Sequence, residues 1–121
     1  MSQKLKSILI IEDDIAILQT LKDTLEINGY LVVTAANGQI GIEKLLSMET
    51  SPLVILLDLV MPVMNGWGFL DFKNGSKSYS EIPVILCSAY ESSARAINEH
   101  GVLVKPIHLD DLLTAIQAVA A

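Results

Sequence analysis

The sequence predicts a doubly wound α/β domain built on a five-stranded parallel sheet. Three observations predict it. Five short apolar runs recur along the 121 residues, and each is continuous rather than alternating, as in strands buried on both faces. Stretches with helical spacing of apolar residues lie between the runs. Acidic, hydroxyl and cationic residues stand where the runs end, the edge at which such sheets carry their ligand chemistry.

Taken in order, Ser7 to Ile11 is the first strand and leads into Glu12-Asp13-Asp14. Ile17, Leu18, Leu21 and Leu25 then repeat at helix spacing and stop near Asn28-Gly29, a C-terminal cap. Asp14 or Asp13 caps this helix, since an acid in the first turn complements the helix dipole. Leu31 to Thr34 is the second strand. Asn37 caps a helix carrying Ile42, Leu45 and Leu46. Leu53 to Leu57 is the third strand, and Asp58 follows it. A helix with a weaker stripe follows Gly66, around Trp67 to Phe72. Asn74 to Ser80 is a polar loop before the fourth strand, Ile82 to Cys87, which ends at Ser88. A fourth helix over Glu91 to Glu99 has only Ala94, Ala96 and Ile97 to bury. Val102 to Val104 is the fifth strand, followed by Lys105-Pro106. Leu109, Leu112, Leu113 and Ile116 form the clearest stripe, begun by His108 or Asp110. Without a linker, repeat or low-complexity segment, residues 1–121 read as a single domain.

Composition narrows the function. Apolar residues make up 51% and charged residues 18%, which excludes disorder. Aromatic residues make up only 5%, so the core is aliphatic. A net charge of −6 lacks the phosphate-neutralising excess that direct nucleic-acid binding needs. The lone cysteine, Cys87, excludes a disulfide framework or zinc knuckle within the chain, and on a buried strand it reads as a small hydrophobe. MSQKLKS contains no signal-peptide core, and no apolar run approaches the roughly 20 residues that span a bilayer. The expectation is a soluble, cytoplasmic protein with no membrane contact. His100 and His108 are too isolated to suggest a metal site.

The strand ends bring Glu12, Asp13, Asp58, Ser88 and Lys105 to one rim. Each has an ordinary reading alone: a helix cap, a turn starter, a surface lysine. Together they call for a shared explanation. Clustered carboxylates repel one another unless something neutralises them. A hard divalent cation does so, and Mg²⁺ takes one or two carboxylates plus phosphate oxygens. Asp13 and Asp58 can coordinate it directly and Glu12 through a water. Lys105 and Ser88 supply the cation and hydroxyl that a phosphoryl group requires on its other oxygens. Transfer of that group to a carboxylate is largely positioning and charge neutralisation, and aspartate is a known covalent acceptor.

These residues carry a resemblance over nearly the whole chain. ILIIEDD, LLDLVMPVMNG, VILCSA and VKP, in this order, resemble the receiver domain of bacterial two-component response regulators. The resemblance implies a flavodoxin-like (βα)5 fold with strand order 2-1-3-4-5. It implies Asp58 as phosphoacceptor, and Asp13, Asp58 and the backbone carbonyl of Val60 as Mg²⁺ ligands, with Glu12 completing the acidic pocket. Lys105 would contact the acyl phosphate, and Ser88 would swing toward it. Pro106 would follow a cis peptide bond, and Gly66 would be the small residue after the acceptor strand. The implied donor is a histidine kinase or histidine phosphotransfer protein. The implied output is a downstream protein or a fused output domain.

Three features depart from the family pattern. Val102 stands where an aromatic residue usually precedes the lysine, so a turning ring cannot report the signal. The interval from Ser88 to Lys105 is short, which predicts a shortened fourth helix and an altered output face. Val60 and Tyr90 flank the acceptor and the serine without orienting a hydrolytic water, which predicts slow self-dephosphorylation. A receiver-like module that works without phosphorylation is the alternative; Val102 and the shortened fourth helix favour it, and the intact set Glu12, Asp13, Asp58, Ser88 and Lys105 opposes it. An aspartyl phosphatase would need a second acid two positions after Asp58, where Val60 stands. An electron carrier of the flavodoxin kind would need a phosphate loop where the acidic triplet stands.

Overall fold

A computed structural model describes residues 6–59, 64–88 and 101–120, apart from the side chains at 88, 102, 104 and 120. Nine elements follow one another within them: β1 (Ser7–Ile11), α1 (Ile15–Ile27), β2 (Leu31–Ala35), α2 (Gly38–Ser47), β3 (Val54–Asp58), α3 (Gly66–Asn74), β4 (Val84–Ser88), β5 (Gly101–Val104) and α4 (Leu109–Ala120). The strands form one parallel sheet in the order β2-β1-β3-β4-β5. The helix expected over Glu91 to Glu99 lies outside the described residues.

The continuous apolar runs are explained by the two layers of helices. Ile8, Ile10, Val54, Leu56, Ile85 and Cys87 pack with Leu21 and Leu25 of α1 and Leu112 and Ile116 of α4. The alternate residues Leu9, Ile11, Ile55, Leu57, Val84 and Leu86 pack with Leu45 of α2 and Phe69 and Leu70 of α3. Successive strand side chains point to opposite faces, so both parities must be apolar when both faces are covered. Each such Leu or Ile contributes on the order of 1.5–3 kcal/mol by leaving water. The interior therefore stabilises the fold without help from the charged rim.

Local chemistry sets the boundaries. Asp14 caps α1, its Oδ1 accepting from the Ile17 amide at 3.1 Å. Asn37 caps α2 in the same way through Ile40 at 2.9 Å. The turn after α1 closes with Gly29 at φ 91°, a conformation that glycine adopts without a Cβ penalty. Several strand limits differ from expectation by one or two residues: β2 ends at Ala35 rather than Thr34, β3 starts at Val54 rather than Leu53, β4 at Val84 rather than Ile82, and β5 at Gly101 rather than Val102. β3 runs through Asp58, and β4 through Ser88, because the ladder continues to the pairs Asp58–Cys87 and Ser88–Val104. Ile82 is buried but belongs to a turn, its amide donating to the Tyr79 carbonyl at 3.1 Å. α3 is longer than its apolar stripe, starting at Gly66 on an Asn65 cap and ending at Asn74. Among the described residues no helix is long and apolar enough to cross a membrane.

Candidate functional site

The site grows out of the sheet register. β1 and β3 pair Ile11 with Leu57, so the next residues, Glu12 just past β1 and Asp58 at the last position of β3, stand side by side at the edge of the sheet. The Glu12 amide stays tied to the end of β2, donating to the Ala35 carbonyl at 3.0 Å. Glu12 is 3% exposed and Asp58 6%, whereas Asp13 faces solvent. One oxygen from each of the three carboxylates lies within 4.8 Å of the others. Lys105 follows β5 directly. Its Nζ lies 2.7 Å from Glu12 Oε1 and 3.3 Å from Asp58 Oδ2. The Lys105–Pro106 bond is cis.

Lys105 meets two of the three carboxylates, and Glu12, the most deeply buried of them, titrates far from its ordinary range. Burial, reinforced by the adjacent Asp58 carboxylate and opposed by Lys105, pushes the Glu12 carboxyl up to about 8. At Lys105 burial is the largest influence and pulls downward. The hydrogen bond to Glu12 and the charges of Glu12 and Asp58 outweigh it, and the ammonium is held above its usual range. Glu12 Oε2 is buried without a hydrogen-bond partner. Two unit charges 4 Å apart repel by about 4 kcal/mol at an effective dielectric of about 20, so the cluster gains from taking up a proton or a cation. An unpartnered buried oxygen beside two further carboxylates is the donor set that a hard, oxygen-seeking cation fits.

The structure thus brings Glu12, Asp13, Asp58 and Lys105 together. It sets the Ser88 backbone on the same edge, in register with Val104, while the Ser88 and Val102 side chains lie outside the described residues. So do Val60 and Tyr90. Cys87 is buried beneath the cluster, and desolvation pushes its thiol up to about 12.

Two features escaped the sequence. One is an apolar cavity of about 270 Å³ beside Lys105, lined by Ala16, Ile17, Leu21, Pro106, Ile107 and Leu109. Leu109 was expected to belong to the core stripe and is instead 38% exposed at this wall. The other is the packing of Met64 against Gly38 and Gly68. Its signal was small residues in the first turns of two consecutive helices.

Residues 8–117 match the response regulator receiver domain. The chain is 30% identical over 116 residues to the transcriptional regulatory protein KdpE of Mycobacterium tuberculosis, covering 92% of this chain and 49% of that one. It is 31% identical over 119 residues to protein PilH of Pseudomonas aeruginosa, covering 94% and 97%. Its fold matches the chemotaxis response regulator CheY4 of Vibrio cholerae with a TM-score of 0.85 and 30% identity, covering 96% and 99%. The chain therefore spans about half the length of relatives such as KdpE and nearly all of PilH.

Proposed function

The chain belongs to the receiver domains of response regulators in two-component signalling, and from that premise we propose that it is a signalling domain switched by phosphorylation of Asp58. Such domains are signalling modules rather than metabolic enzymes. The observation that carries the proposal is the buried Glu12–Asp58–Lys105 constellation with its unpartnered Glu12 Oε2. A domain that only bound a partner would be more stable with apolar residues in place of those like charges.

In this reading an Asp58 oxygen attacks the phosphorus of a partner's phosphohistidine. The new P–O bond forms as the P–N bond breaks, and the departing ring nitrogen takes up a proton. Asp13, Asp58 and the Val60 main-chain carbonyl would hold Mg²⁺, with Glu12 acting through a water; the ion supplies positive charge to the phosphoryl oxygens. Lys105, already within 3.3 Å of Asp58, neutralises a further phosphoryl oxygen, and Ser88 donates to another. The Val60 side chain has no hydrogen-bonding group and Tyr90 is bulky, so the acyl phosphate should decay slowly.

The donor is a histidine kinase or histidine phosphotransfer protein. Ile15, 78% exposed, and the cavity beside Lys105 offer it apolar ground next to the acceptor. Residues 1–121 act as one receiver domain in the cytoplasm, where phosphohistidine donors draw on ATP. The signal leaves through protein contacts, with a separate target or an output domain in the same polypeptide.

Incubation with Mg²⁺ and acetyl phosphate, followed by intact mass, tests this reading. One phosphoryl adduct that requires Mg²⁺ and disappears in Asp58→Asn is the expected result. A folded wild-type protein that gains no adduct from any small donor would establish instead an interaction module independent of phosphorylation.

A further inference from the structure

A run of close contacts joins the first turn of α2 to the backbone of Asp58. The amide of Gly38, the first residue of α2, donates to the Met64 carbonyl at 2.9 Å. No side chain fits at that junction. A Cβ on Gly38 would stand 2.7 Å from the Met64 carbonyl oxygen and 2.8 Å from Met64 Cγ. A Cβ on Gly68 would stand 2.9 Å from the same Cγ. Met64 is thus seated between the first turns of α2 and α3. Two residues on, the Gly66 amide donates to the Leu59 carbonyl at 2.9 Å. A Cβ on Gly66 would stand 2.6 Å from the Asp58 carbonyl oxygen. A second route reaches α2 from the other side of the cluster: the Glu12 amide bonds to Ala35, two residues before the Asn37 cap.

We infer that the Gly38–Met64 contact couples the first turn of α2 to the carboxylate cluster, which makes Gly38 and Met64 positioning residues for cation binding. The inference rests on reading the cluster as a Mg²⁺ site. Close-packed interiors transmit strain instead of absorbing it, and every link here is backbone against backbone or against a side chain wedged between glycines. Asn65 caps α3 through the Gly68 amide at 3.1 Å, as Asn37 caps α2, so neither helix start yields easily. A shift of Asp58 on cation binding then passes through Gly66 and Met64 to Gly38. Linkage makes the effect reciprocal: whatever loosens the contact weakens the cation by the same factor by which the cation tightens the contact.

The test measures both directions. Mg²⁺ titrations followed by Trp67 fluorescence compare wild type with Gly38→Ala, Met64→Ala and Met64→Leu, with thermal unfolding as the check on folding. Altering a partner hydrogen-bonded to a metal ligand typically costs about 10- to 100-fold in affinity, and Gly38 and Met64, which reach Asp58 through Gly66, are set at the low end of that range. The expected result is a Mg²⁺ affinity about tenfold weaker in Gly38→Ala, a smaller loss in Met64→Ala, and recovery in Met64→Leu. In wild type, saturating Mg²⁺ should slow hydrogen exchange of the Gly38 amide by about the same tenfold factor. A folded Gly38→Ala with wild-type affinity would overturn the inference. Should that variant not fold, undiminished affinity in Met64→Ala, or Gly38 exchange indifferent to Mg²⁺, would overturn it equally. Failure of wild type to bind Mg²⁺ at all is a separate result: it removes the reading of the cluster, and the coupling with it.

Discussion

Lys73 and Lys105 are both drawn out of water, by different neighbours. Lys73 lies in the last turn of α3 and is 1% exposed. Its Nζ donates to the Ser80 carbonyl at 2.9 Å and to Asn74 Oδ1 at 3.2 Å. A cation in a last helical turn also complements the helix dipole. This lysine fastens the turn between α3 and β4. Lys105, its side chain 19% exposed, instead meets two carboxylates of a cluster whose charge it cannot cancel. Burial of a lysine whose ammonium bridges a carbonyl and a side-chain amide at a turn marks architecture. Burial beside surplus charge, with an acceptor left over, marks chemistry.

Exchanging each lysine for methionine separates the two roles most sharply. Lys105→Met should slow formation of the Asp58 adduct by about a hundredfold or more, the usual loss when one preorganised donor is removed from a developing anion. Lys73→Met should leave the adduct yield unchanged. Its expected cost is about 1–3 kcal/mol from hydrogen-bonding groups left without their donor, read as a Tm lowered by several degrees. Equal loss of phosphorylation in the two variants would collapse the distinction.

The burial of Glu12 beside Asp58 also has a pH signature. The Glu12 carboxyl, raised from 4.5 to about 8, keeps a proton in the folded state that the unfolded chain gives up. Its contribution to stability is complete below about 4.5 and is lost as pH climbs through about 8. Mg²⁺ competes with that proton. Its affinity should therefore rise with pH up to about 8, by as much as tenfold per unit for one displaced proton. Calorimetry in buffers of different ionisation enthalpy would register the proton release, and Glu12→Gln should flatten the profile. The smallest expected effect lies one layer down. Cys87, pushed up to about 12, should resist thiol reagents at neutral pH until the protein unfolds. Rapid labelling of the native protein would show the floor of the cluster to be open to solvent.

Much of this was legible in the chain. Parallel strands covered on both faces must be apolar at every position, so runs such as Val54-Ile55-Leu56-Leu57 announce themselves. The polar residues that end such runs stand out against them, which is why Glu12, Asp58 and Lys105 could be named from composition at the strand ends. Asp14 and Asn37 were legible as caps because capping is a contact within three residues. Ile82 was misread because an apolar residue in a turn buries itself as well as one in a strand, and only the ladder tells them apart. Lys73 went unnoticed although it continues the Phe69 and Leu70 stripe at helical spacing, since its charge hid its place on the buried face.

The sequence by itself determined the class of fold, the edge that carries the chemistry and the residue types gathered there, because periodicity and chain order suffice for each. The tertiary structure decided how those residues divide the work. It buried Glu12 and left Asp13 in solvent, set one ammonium against two carboxylates, and pressed Met64 between two glycines. Those outcomes depend on distances between segments far apart in the chain, and such distances are set by packing, which no local pattern encodes.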